Sequence, residues 1–408
     1  MKEKLCSLIL VLSLIFCCAS PAFAAEERAS FVFVHGMMGW GEGSQMEQAS
    51  PYWGLSEESN FMTYLRNEGY DVYYPSVSGL GSCWDRCCEL YAQLTGTVVD
   101  YGEAHSKKYG HARYGRDYTG KATMGEPWDV ESEINIVGHS LGGPTVRLFA
   151  SLLAYGDEAE IEASGDSCSG LFTGGHDKCI NSVITLSGVH NGTIVANYAT
   201  DLFFPALVVA LSQNISLATG GIKDPMLDQW GFIDDDGKVV VSLIKCMKII
   251  MSGDYCGEDL SIGGAKRLNE QIKTVPGTYY FSYTVRATQP NLLGIETPID
   301  NIFPLFRVTA PLISLSRGLM VDGEILDKSW LPSDGIVPLR SALYPDSEEN
   351  NHMEYTEGTN VKPGVWYTMP TMDNYDHYDF CKIDGGFGTT ENLFAFYTDM
   401  LEMIYSLD

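Results

Sequence analysis

The stretch that decides the fold is Ile134-Asn135-Ile136-Val137-Gly138-His139-Ser140-Leu141-Gly142-Gly143. Its first four residues are mostly apolar and β-branched, which predicts a buried strand. Residues 144–150 have the spacing and composition of a helix. A strand, a glycine turn around a serine and a helix form a nucleophile elbow, which lifts the serine side chain out of the sheet. We therefore predict that Ser140 is a nucleophile. A side chain at Gly138 or Gly142 would collide with the neighbouring strand or helix.

An early strand supplies one half of the expected oxyanion hole. Residues 31–34 form a short apolar run, and His35-Gly36-Met37 follows it. A His-Gly turn after an early strand contributes one backbone N–H to the oxyanion hole of such hydrolases. We expect that donor to be Met37 and the second donor to be Leu141. His35 itself is expected to be structural.

The acid and the base are predicted from chain order and local pattern. Asp334-Gly335-Ile336-Val337-Pro338 is an Asp-Gly turn of the kind that carries the catalytic acid in this fold. Two histidines follow it. His352 lies among acidic and amide residues that predict a solvated loop, whereas His377 lies between the last predicted strand, residues 365–369, and a terminal amphipathic helix. We therefore predict a Ser140, Asp334 and His377 triad.

The N-terminus predicts export. Charged residues 2–4 precede an apolar run over residues 5–18 and an Ala-x-Ala site ending at Ala24. This pattern is typical of a signal peptide over residues 1–24, because the apolar run is too short to span a membrane. No later run resembles a membrane span. We expect one catalytic domain over residues 25–408, secreted to the exterior.

The charge balance excludes some partners. The chain has 53 acidic and 26 basic side chains, a net charge of −27. This balance argues against nucleic acid and anionic membrane surfaces as partners.

The cysteine count permits disulfides. Three of the eleven cysteines leave with the predicted signal peptide, so eight remain. Disulfides are plausible in an exported chain, and Cys168 with Cys179 and Cys246 with Cys256 would close short loops.

The connection between the second strand, residues 71–75, and the elbow strand is long. A parallel crossover needs only about a dozen residues, and this one runs from residue 76 to 133, so we expect an insertion over about 77–133. It contains a helix-like segment at 84–94 and two histidines, His105 and His111. Their spacing is borderline for zinc, and from the residues alone two surface histidines are the better interpretation.

Several motifs together resemble one family. They are His-Gly-Met-Met-Gly-Trp-Gly at 35–41, Trp-Asp-Arg at 84–86, Tyr-Ala-Gln-Leu at 91–94, Val-Asp-Tyr-Gly at 99–102, Ala-His at 104–105, Gly-His-Ala-Arg-Tyr-Gly-Arg at 110–116 and Leu-Asp-Gln-Trp-Gly at 227–231. This set resembles the secreted, zinc- and calcium-binding triacylglycerol lipases of thermophilic bacilli and their staphylococcal relatives. The resemblance covers essentially the whole mature chain.

The resemblance implies a structural zinc ion. Carried over residue by residue, its ligands are Asp85, His105, His111 and Asp228. Four nitrogen and oxygen ligands with no open position make a closed site, which would clip the insertion to the segment near residue 228. Cys83 and Cys87 depart from the family pattern, which leaves open whether a thiolate replaces one oxygen ligand.

The resemblance also implies a calcium ion beside the base. The corresponding positions are Asp379, Asp384, Gly385 and Gly294, whose oxygen atoms suit a hard cation. The family has Glu at the position of Asp379 and Pro at that of Gly385, so the site is expected to be weaker or lost.

Two further segments are interpreted from their composition. Residues 194–215 are almost uncharged and predict either a buried helix or a lid over the active site. The resemblance favours a helical lid over about residues 190–220. Residues 289–323 carry several prolines and predict an irregular segment.

Together these features predict an α/β-hydrolase fold, a mostly parallel sheet flanked by helices. The expected activity is that of a secreted carboxylic ester hydrolase, a triacylglycerol lipase acting on hydrophobic esters at an oil–water interface. The alternatives are a short-chain carboxylesterase, a phospholipase or a polyester-degrading esterase. A catalytically silent surface-binding protein is the alternative from another class.

Overall fold

The computed structural model describes residues 28–202, 226–232, 243–382 and 386–407. Its strands are β1 (Ser30–Val34), β2 (Val72–Tyr73), β3 (Val98–Asp100), β4 (Tyr114–Asp117), β5 (Ile134–His139), β6 (Ile180–Leu186), β7 (Tyr279–Tyr283), β8 (Val285–Arg286), β9 (Thr288–Pro290), β10 (Glu296–Pro298), β11 (Met320–Val321), β12 (Glu324–Ile325), β13 (His352–Glu354), β14 (Trp366–Thr368) and β15 (Met372–Asp373).

The α-helices of the same residues are α1 (Gln45–Ala49), α2 (Phe61–Asn67), α3 (Cys83–Thr95), α4 (Glu103–Tyr109), α5 (Gly142–Tyr155), α6 (Glu158–Ser164), α7 (Gly170–Thr173), α8 (Ile194–Leu202), α9 (Leu243–Ser252), α10 (Cys256–Leu260), α11 (Ile262–Gln271), α12 (Phe306–Ser314), α13 (Leu339–Leu343) and α14 (Thr390–Tyr405).

A seven-stranded sheet in the order β13-β14-β7-β6-β5-β1-β2 organises the described residues. Every neighbouring pair in it is parallel. The two faces of β1 enter different cores: Val32 and Val34 pack with α3 and α5, whereas Phe31 and Phe33 pack with α2 and α14. A sheet buried on both faces requires apolar residues at successive positions, which explains the apolar runs in its strands. The predicted α/β-hydrolase fold is confirmed.

The crossover between β2 and β5 carries extra structure. After α3, β3 and β4 pair as a small antiparallel sheet, with α4 between them. The edges of this unit face residues 226–232 and the loop after α9, and Ala112 N–H donates to the Gln229 carbonyl. The crossover is therefore attached to segments more than a hundred residues later in the chain.

Two local predictions are wrong. The segment around His352, expected to be a solvated loop, forms the edge strand β13 beside β14. Residues 289–323, expected to be irregular, contain β9, β10, α12 and β11. Pro311 lies inside α12, where a proline is disfavoured by its missing N–H, and this proline misled the sequence-based expectation.

The predicted lid falls mainly outside the described residues. Of the range 190–220, the structure describes residues 190–202, which include α8. The predicted signal peptide, residues 1–24, also lies outside them. No helix in the described part of the chain has both the length and the apolar character that a membrane crossing requires.

Candidate active site and metal cluster

The connection between β5 and α5 is a tight elbow with Ser140 at its apex. Ser140 has φ of 58°, in the left-handed region that L-residues rarely adopt. A Cβ on Gly138 would overlap the Gly142 carbonyl, and one on Gly142 would overlap the Val34 carbonyl of β1. Glycine is therefore required at both positions by the close approach of strand and helix, as predicted from the sequence.

The His35-Gly36-Met37 turn lies directly against the elbow. A Cβ on Gly36 would lie 2.7 Å from the Ser140 Cβ, so only glycine lets the turn come this close. The N–H groups of Met37 and Leu141 have no acceptor among the described residues. Two free backbone donors beside a serine are the requirement for an oxyanion hole.

A buried arginine holds this turn in place. The Arg86 guanidinium donates to the His35 carbonyl, to the Ser78 carbonyl at 2.6 Å and, through Nε, to Thr145 Oγ1 at 3.1 Å. These bonds tie the turn after β1 to α3, where Arg86 lies, and to α5. Burial and the Arg86 charge lower the pKa of His35 to about 3, so this imidazole is neutral.

The predicted acid and base are in direct contact. His377 Nδ1–H donates to Asp334 Oδ2 at 2.7 Å, and the His377 backbone N–H donates to the Asp334 carbonyl at 3.0 Å. Asp334 Oδ1 accepts from the N–H groups of Ile336 and Val337 at 3.0 and 2.8 Å. Both side chains are buried. His352 is remote from this pair and stacks on Tyr344.

A hydrogen-bonded chain joins the oxyanion turn, the elbow and the base loop. Gly36 N–H donates to Tyr52 Oη at 3.0 Å, and Tyr52 O–H donates to His139 Nδ1 at 2.6 Å. His139 Nε2–H donates in turn to the His377 carbonyl at 3.0 Å. Burial and then the nearby His377 lower the pKa of His139 well below its usual value. His139 is therefore neutral and structural, and its ring centroid lies 4.8 Å from that of His377.

A second cluster lies in the crossover. Single ligand atoms of Asp85, His105, His111 and Asp254 all lie within 4.8 Å of one another. His105 Nε2 is 3.3 Å from Asp85 Oδ1 and 3.3 Å from Asp254 Oδ1, and His111 Nε2 is 3.1 Å from Asp254 Oδ2. Ligand atoms about 2.0 Å from a tetrahedral metal would be about 3.3 Å apart. The spacing therefore fits a four-coordinate metal ion.

The cluster also has the unsatisfied atoms that a metal ion would bind. Asp85 Oδ1, His105 Nε2, His111 Nε2 and Asp254 Oδ2 are buried and lack a hydrogen-bond partner. His111 Nδ1–H donates to the Ala112 carbonyl at 2.8 Å, which leaves the Nε2 lone pair facing the cluster. The other oxygen of Asp85 accepts from Gln229 at 2.6 Å.

The two buried carboxylates of the cluster, Asp85 and Asp254, require a positive charge between them. Burial raises the pKa of Asp85, and the carboxylate of Asp254 raises it further. Burial lowers the pKa of His105, but Asp254 and Asp85 outweigh it and raise that pKa to about 9. Either protons on the histidines or one metal cation can neutralise the two carboxylates, and the second choice also satisfies the unpaired atoms.

The prediction of Asp228 as a metal ligand is wrong. Asp228 accepts two hydrogen bonds from the Arg116 guanidinium, at 3.1 and 3.0 Å, and stands outside the cluster. Asp254, in the loop between α9 and α10, occupies the fourth position instead. The Leu-Asp-Gln-Trp-Gly motif does reach the cluster, but through Gln229 and through Trp230, whose ring lies 5.0 Å from that of His111.

Seven cysteines in the described part of the chain are free: Cys83, Cys87, Cys88, Cys168, Cys179, Cys256 and Cys381. Cys168, Cys179 and Cys256 are free, so the expected Cys168–Cys179 and Cys246–Cys256 disulfides are wrong. Cys83 and Cys87 lie outside the metal cluster, and the Cys87 thiol donates to the Thr145 carbonyl at 3.3 Å. A thiolate therefore does not replace an oxygen ligand in this cluster.

Of the four predicted calcium ligands, Gly294 and Asp379 lie in the part of the chain that the structure describes. Asp379 is buried in the wall of a polar cavity of about 350 Å³, and its Oδ1 has no hydrogen-bond partner. Burial and the carboxylate of Asp376 raise the pKa of Asp379 to about 6. Gly294 lies in the exposed turn between β9 and β10 and is not among the residues that line the cavity. Asp384 and Gly385 lie outside the described residues.

The chain is similar in sequence to known proteins along most of its length. Residues 27–407 match the family model described as "Lipase-like, C-terminal domain". The chain belongs to this family. It is 34% identical over 364 residues to "Lipase 2" of Staphylococcus aureus, covering 86% of this chain and 50% of the relative. It is 35% identical over 365 residues to "Lipase" of Staphylococcus hyicus, covering 88% and 54%. The chain thus spans about half the length of these curated relatives.

Solved structures of the same kind match nearly end to end. The crystal structure of Staphylococcus hyicus lipase superposes with a TM-score of 0.80 at 32% identity, covering 94% of this chain and 97% of that one. The structure of EstA from Clostridium botulinum gives a TM-score of 0.78 at 35% identity, covering 91% and 86%. The resemblance to staphylococcal lipases stated from the motifs is confirmed.

Four residues of these sites were not predicted: Tyr52, Arg86 as the holder of the turn, Gln229 and Asp254. Tyr52 acts through hydrogen bonds with a backbone N–H and a ring nitrogen of distant segments, so no local pattern marks it. Gln229 and Arg86 stood inside quoted motifs, which was a usable signal. Asp254 carried no such signal, because it lies in a short loop, Gly253-Asp254-Tyr255, between two helices.

Proposed function

We propose that this chain hydrolyses carboxylic esters with Ser140 as nucleophile, His377 as general base and Asp334 as the acid that orients it. The observation that carries the proposal is the 2.7 Å His377–Asp334 hydrogen bond on a loop that His139 joins to the elbow of Ser140. At this elbow two backbone N–H groups have no acceptor among the described residues. This combination of groups is the one that acyl transfer requires.

The proposed mechanism has two half-reactions. Ser140 Oγ attacks the ester carbonyl carbon while His377 Nε2 takes the hydroxyl proton, and the N–H groups of Met37 and Leu141 stabilise the oxyanion. The intermediate collapses with transfer of that proton to the leaving alcohol, which gives an acyl-enzyme. Water, deprotonated by His377, then attacks the acyl carbon, and Ser140 regains its proton as the carboxylic acid leaves. Asp334 stabilises the imidazolium in both halves.

For the substrate we propose a triacylglycerol or a similar hydrophobic ester. The names of the staphylococcal relatives, which are lipases, support it. A carboxylesterase acting on short-chain esters is the second candidate, favoured by the match to EstA at 35% identity.

The test is hydrolysis of p-nitrophenyl butyrate and of emulsified tributyrin by the parent and its variants. We expect Ser140→Ala and His377→Asn to lose activity by about 10³-fold or more, and the matched control His352→Asn to keep it. A Ser140→Ala variant as fast as the parent would contradict the triad. A rate on tributyrin that rises above its solubility limit supports a lipase, and a rate that does not rise supports the esterase.

For the metal cluster we propose a structural zinc ion held by Asp85, His105, His111 and Asp254. The closed set of nitrogen and oxygen donors supports it, since all four ligand positions come from the protein and none is left for substrate. The ion would cross-link the crossover to the loop after α9 and supply no chemistry to the ester. We expect about one equivalent of zinc by elemental analysis of the purified protein, and none would contradict the proposal.

For calcium we propose a site at Asp379 with Asp384 and Gly385. The unpaired, buried Oδ1 of Asp379 supports it. The ammonium of Lys382 lies 4.0 Å from the same oxygen and competes for it, so the site is expected to be weak. Isothermal titration of the chelated protein with CaCl₂ measures it, and no heat at millimolar calcium would contradict it.

We also propose that the chain is exported and that residues 1–24 are removed. The charged start, apolar run and Ala-x-Ala site support this. Expression with the native leader should place protein in the medium with Ala25 at its N-terminus by Edman sequencing. Secreted protein that retains Met1 would contradict the proposed cleavage.

A further inference from the structure

Helix α12 exposes an apolar face that the proposed mechanism does not use. Leu305, Val308, Leu312 and Leu315 recur at the spacing of one helix face, and all four are exposed, Val308 to 63% and Leu315 to 69%. A helix between protein and water normally presents polar side chains on its outer face. Here the outer face is as apolar as the inner one.

A second exposed apolar pair follows the helix in the chain. Met320 of β11 and Ile325 of β12 are a cross-strand pair, and both are exposed. The hairpin is held to the chain after α12 by two backbone hydrogen bonds, between Gly318 and Leu326 and between Leu326 and Leu319. We call the outer face of α12 together with this pair the apolar ridge.

The inner face of α12 packs on the loops of the candidate active site. The Phe306 ring lies 6.1 Å from that of His377 and 5.1 Å from that of Tyr378. Thr309 Oγ1 donates to the Gly335 carbonyl at 2.5 Å, next to Asp334. One helix therefore connects the apolar ridge on its outside to the acid and base loops on its inside.

The charge of this segment differs from that of the rest of the chain. The chain has 53 acidic side chains in 408 residues, yet residues 301–321 contain none, and their only charged residues are Arg307 and Arg317. Asp300 and Asp322 bound this stretch, and Glu324 lies in β12. The Asp322 carboxylate accepts hydrogen bonds from the Gly263 N–H and the Asn197 side chain. The stretch 301–321 therefore brings two arginines and no carboxylate of its own to a phosphate-bearing, water-poor layer, which avoids the cost of burying carboxylates there.

We propose that the apolar ridge is the surface by which the protein docks on a phosphatidylcholine lipid layer. The leucine, valine and methionine side chains enter the acyl boundary, and Arg307 and Arg317 reach the phosphates of the headgroups. Docking here holds the acid and base loops next to the lipid. Several large apolar side chains exposed on one helix face mark an interaction site. The choice of lipid rests on the proposed ester hydrolysis.

The test is flotation of the mature protein with large unilamellar phosphatidylcholine vesicles, in the Ser140→Ala background so that no ester is consumed. We expect this protein to float with the vesicles. The triple variant Val308→Asn/Leu312→Asn/Leu315→Asn should lose about tenfold or more in vesicle partitioning. The matched control is Val98→Asn/Ile161→Asn/Met353→Asn, three exposed apolar residues on other elements, which should float like the parent.

Folding and self-association are measured separately. With Ser140 intact, both triple variants should hydrolyse soluble p-nitrophenyl acetate at the rate of the parent, which shows that the fold is preserved. The proposal is overturned if the Ser140→Ala protein does not float, if both triples lose flotation equally, or if light scattering shows that the ridge variant only converts a dimer into a monomer. Failure of flotation is independent of the Ser140→Ala hydrolysis assay, so the two proposals fail separately.

Discussion

The carboxylates of Asp254 and Asp228 lie in neighbouring segments but have opposite surroundings. Asp254 is buried with two imidazoles and another carboxylate, whereas Asp228 is paired with Arg116 at the surface of the crossover. A buried carboxylate without a cation is costly, and Asp228 already has its cation. The two residues therefore provide a matched pair for testing which one holds the metal ion.

We predict that Asp254→Asn lowers the bound zinc to well below one equivalent, because it removes one negative ligand and leaves two carboxylate–imidazole contacts broken. Asp228→Asn should keep the parent's zinc content. Elemental analysis after gel filtration measures both. Equal zinc in the parent and Asp254→Asn would remove Asp254 from the site.

A second residue, Glu89, sets a pH dependence of stability. It is buried, accepts from Ser78 N–H at 2.5 Å and from Tyr101 Oη at 3.1 Å, and burial raises its pKa to about 8. The folded protein therefore holds a proton that the unfolded chain releases above pH of about 4.5. The contribution of this proton to the free energy of unfolding is present at low pH and is lost as pH rises towards 8.

We predict that Glu89→Gln, which mimics the protonated acid, loses this part of the pH dependence. Its Tm should match that of the parent near pH 5 and exceed it by about 5 °C or more at pH 8. Thermal unfolding followed by circular dichroism from pH 5 to 8 measures it. Glu391→Gln at the exposed start of α14 serves as control and should follow the parent. Parallel curves for the parent and Glu89→Gln would count against the assignment.

For single residues, the sequence predicted those whose role is set by local pattern and chain order. Ser140 follows from its strand–turn–helix setting, and His377 from its position between the last strand and the last helix. Asp254 could not be found in this way, because its role arises from the approach of α9 and α10 to the crossover. A motif match pointed to Asp228, two residues before the Trp230 that does touch the cluster.

At the scale of elements, the turn after β1 is held in place by a side chain of the distant helix α3. Arg86 on α3 bonds the His35 and Ser78 carbonyls, and its guanidinium is fully buried. Removing it leaves these two buried carbonyls without their donors, which loosens the turn that carries the Met37 N–H. The expected effect falls on oxyanion stabilisation, a property of the transition state rather than of substrate binding.

We predict that Arg86→Met lowers kcat by about 10- to 100-fold with a change in KM of about threefold or less. Arg86→Lys should recover part of kcat through the one or two bonds that an ammonium can make. The control is Arg66→Met, which removes a half-exposed pair with Glu42 and should leave kcat unchanged. Steady-state kinetics on p-nitrophenyl butyrate decide, and a loss confined to KM would contradict the role given to Arg86.

The long apolar strands were predictable, since burial on both faces of a parallel sheet leaves an apolar run in the sequence. The helix after the elbow was predictable from its spacing and composition. The short elements were not. β13 has three residues at a sheet edge and two of them are exposed, so tertiary pairing, rather than its own pattern, makes it a strand. α12 forms despite Pro311, because its inner face packs on the Asp334 and His377 loops.

Across the whole molecule, charge opposes the proposed docking. A net charge of −27 repels an anionic lipid surface over a Debye length of about 10 Å at 0.1 M salt, whereas the only charged side chains of residues 301–321 are Arg307 and Arg317. Salt screens both interactions. It should therefore weaken the attraction of the two arginines to an anionic lipid surface and also weaken the repulsion of that surface by the whole chain.

We predict that flotation with phosphatidylglycerol vesicles strengthens as NaCl rises from 0.02 to 0.5 M, while flotation with phosphatidylcholine vesicles changes about twofold or less. Screening of the overall repulsion is the reason. Weaker binding to phosphatidylglycerol at high salt would show that Arg307 and Arg317 outweigh the rest of the chain.

The central claim is that Ser140 is an activated nucleophile, and covalent capture tests it most directly. The mature protein is incubated with diethyl p-nitrophenyl phosphate, released p-nitrophenol is measured, and the modified peptide is sequenced by mass spectrometry. The account predicts about one equivalent of p-nitrophenol and one diethylphosphoryl group on Ser140, with Asp334→Asn and His377→Asn reacting far more slowly. Full release with the label on another residue, or no release by folded protein, would contradict it.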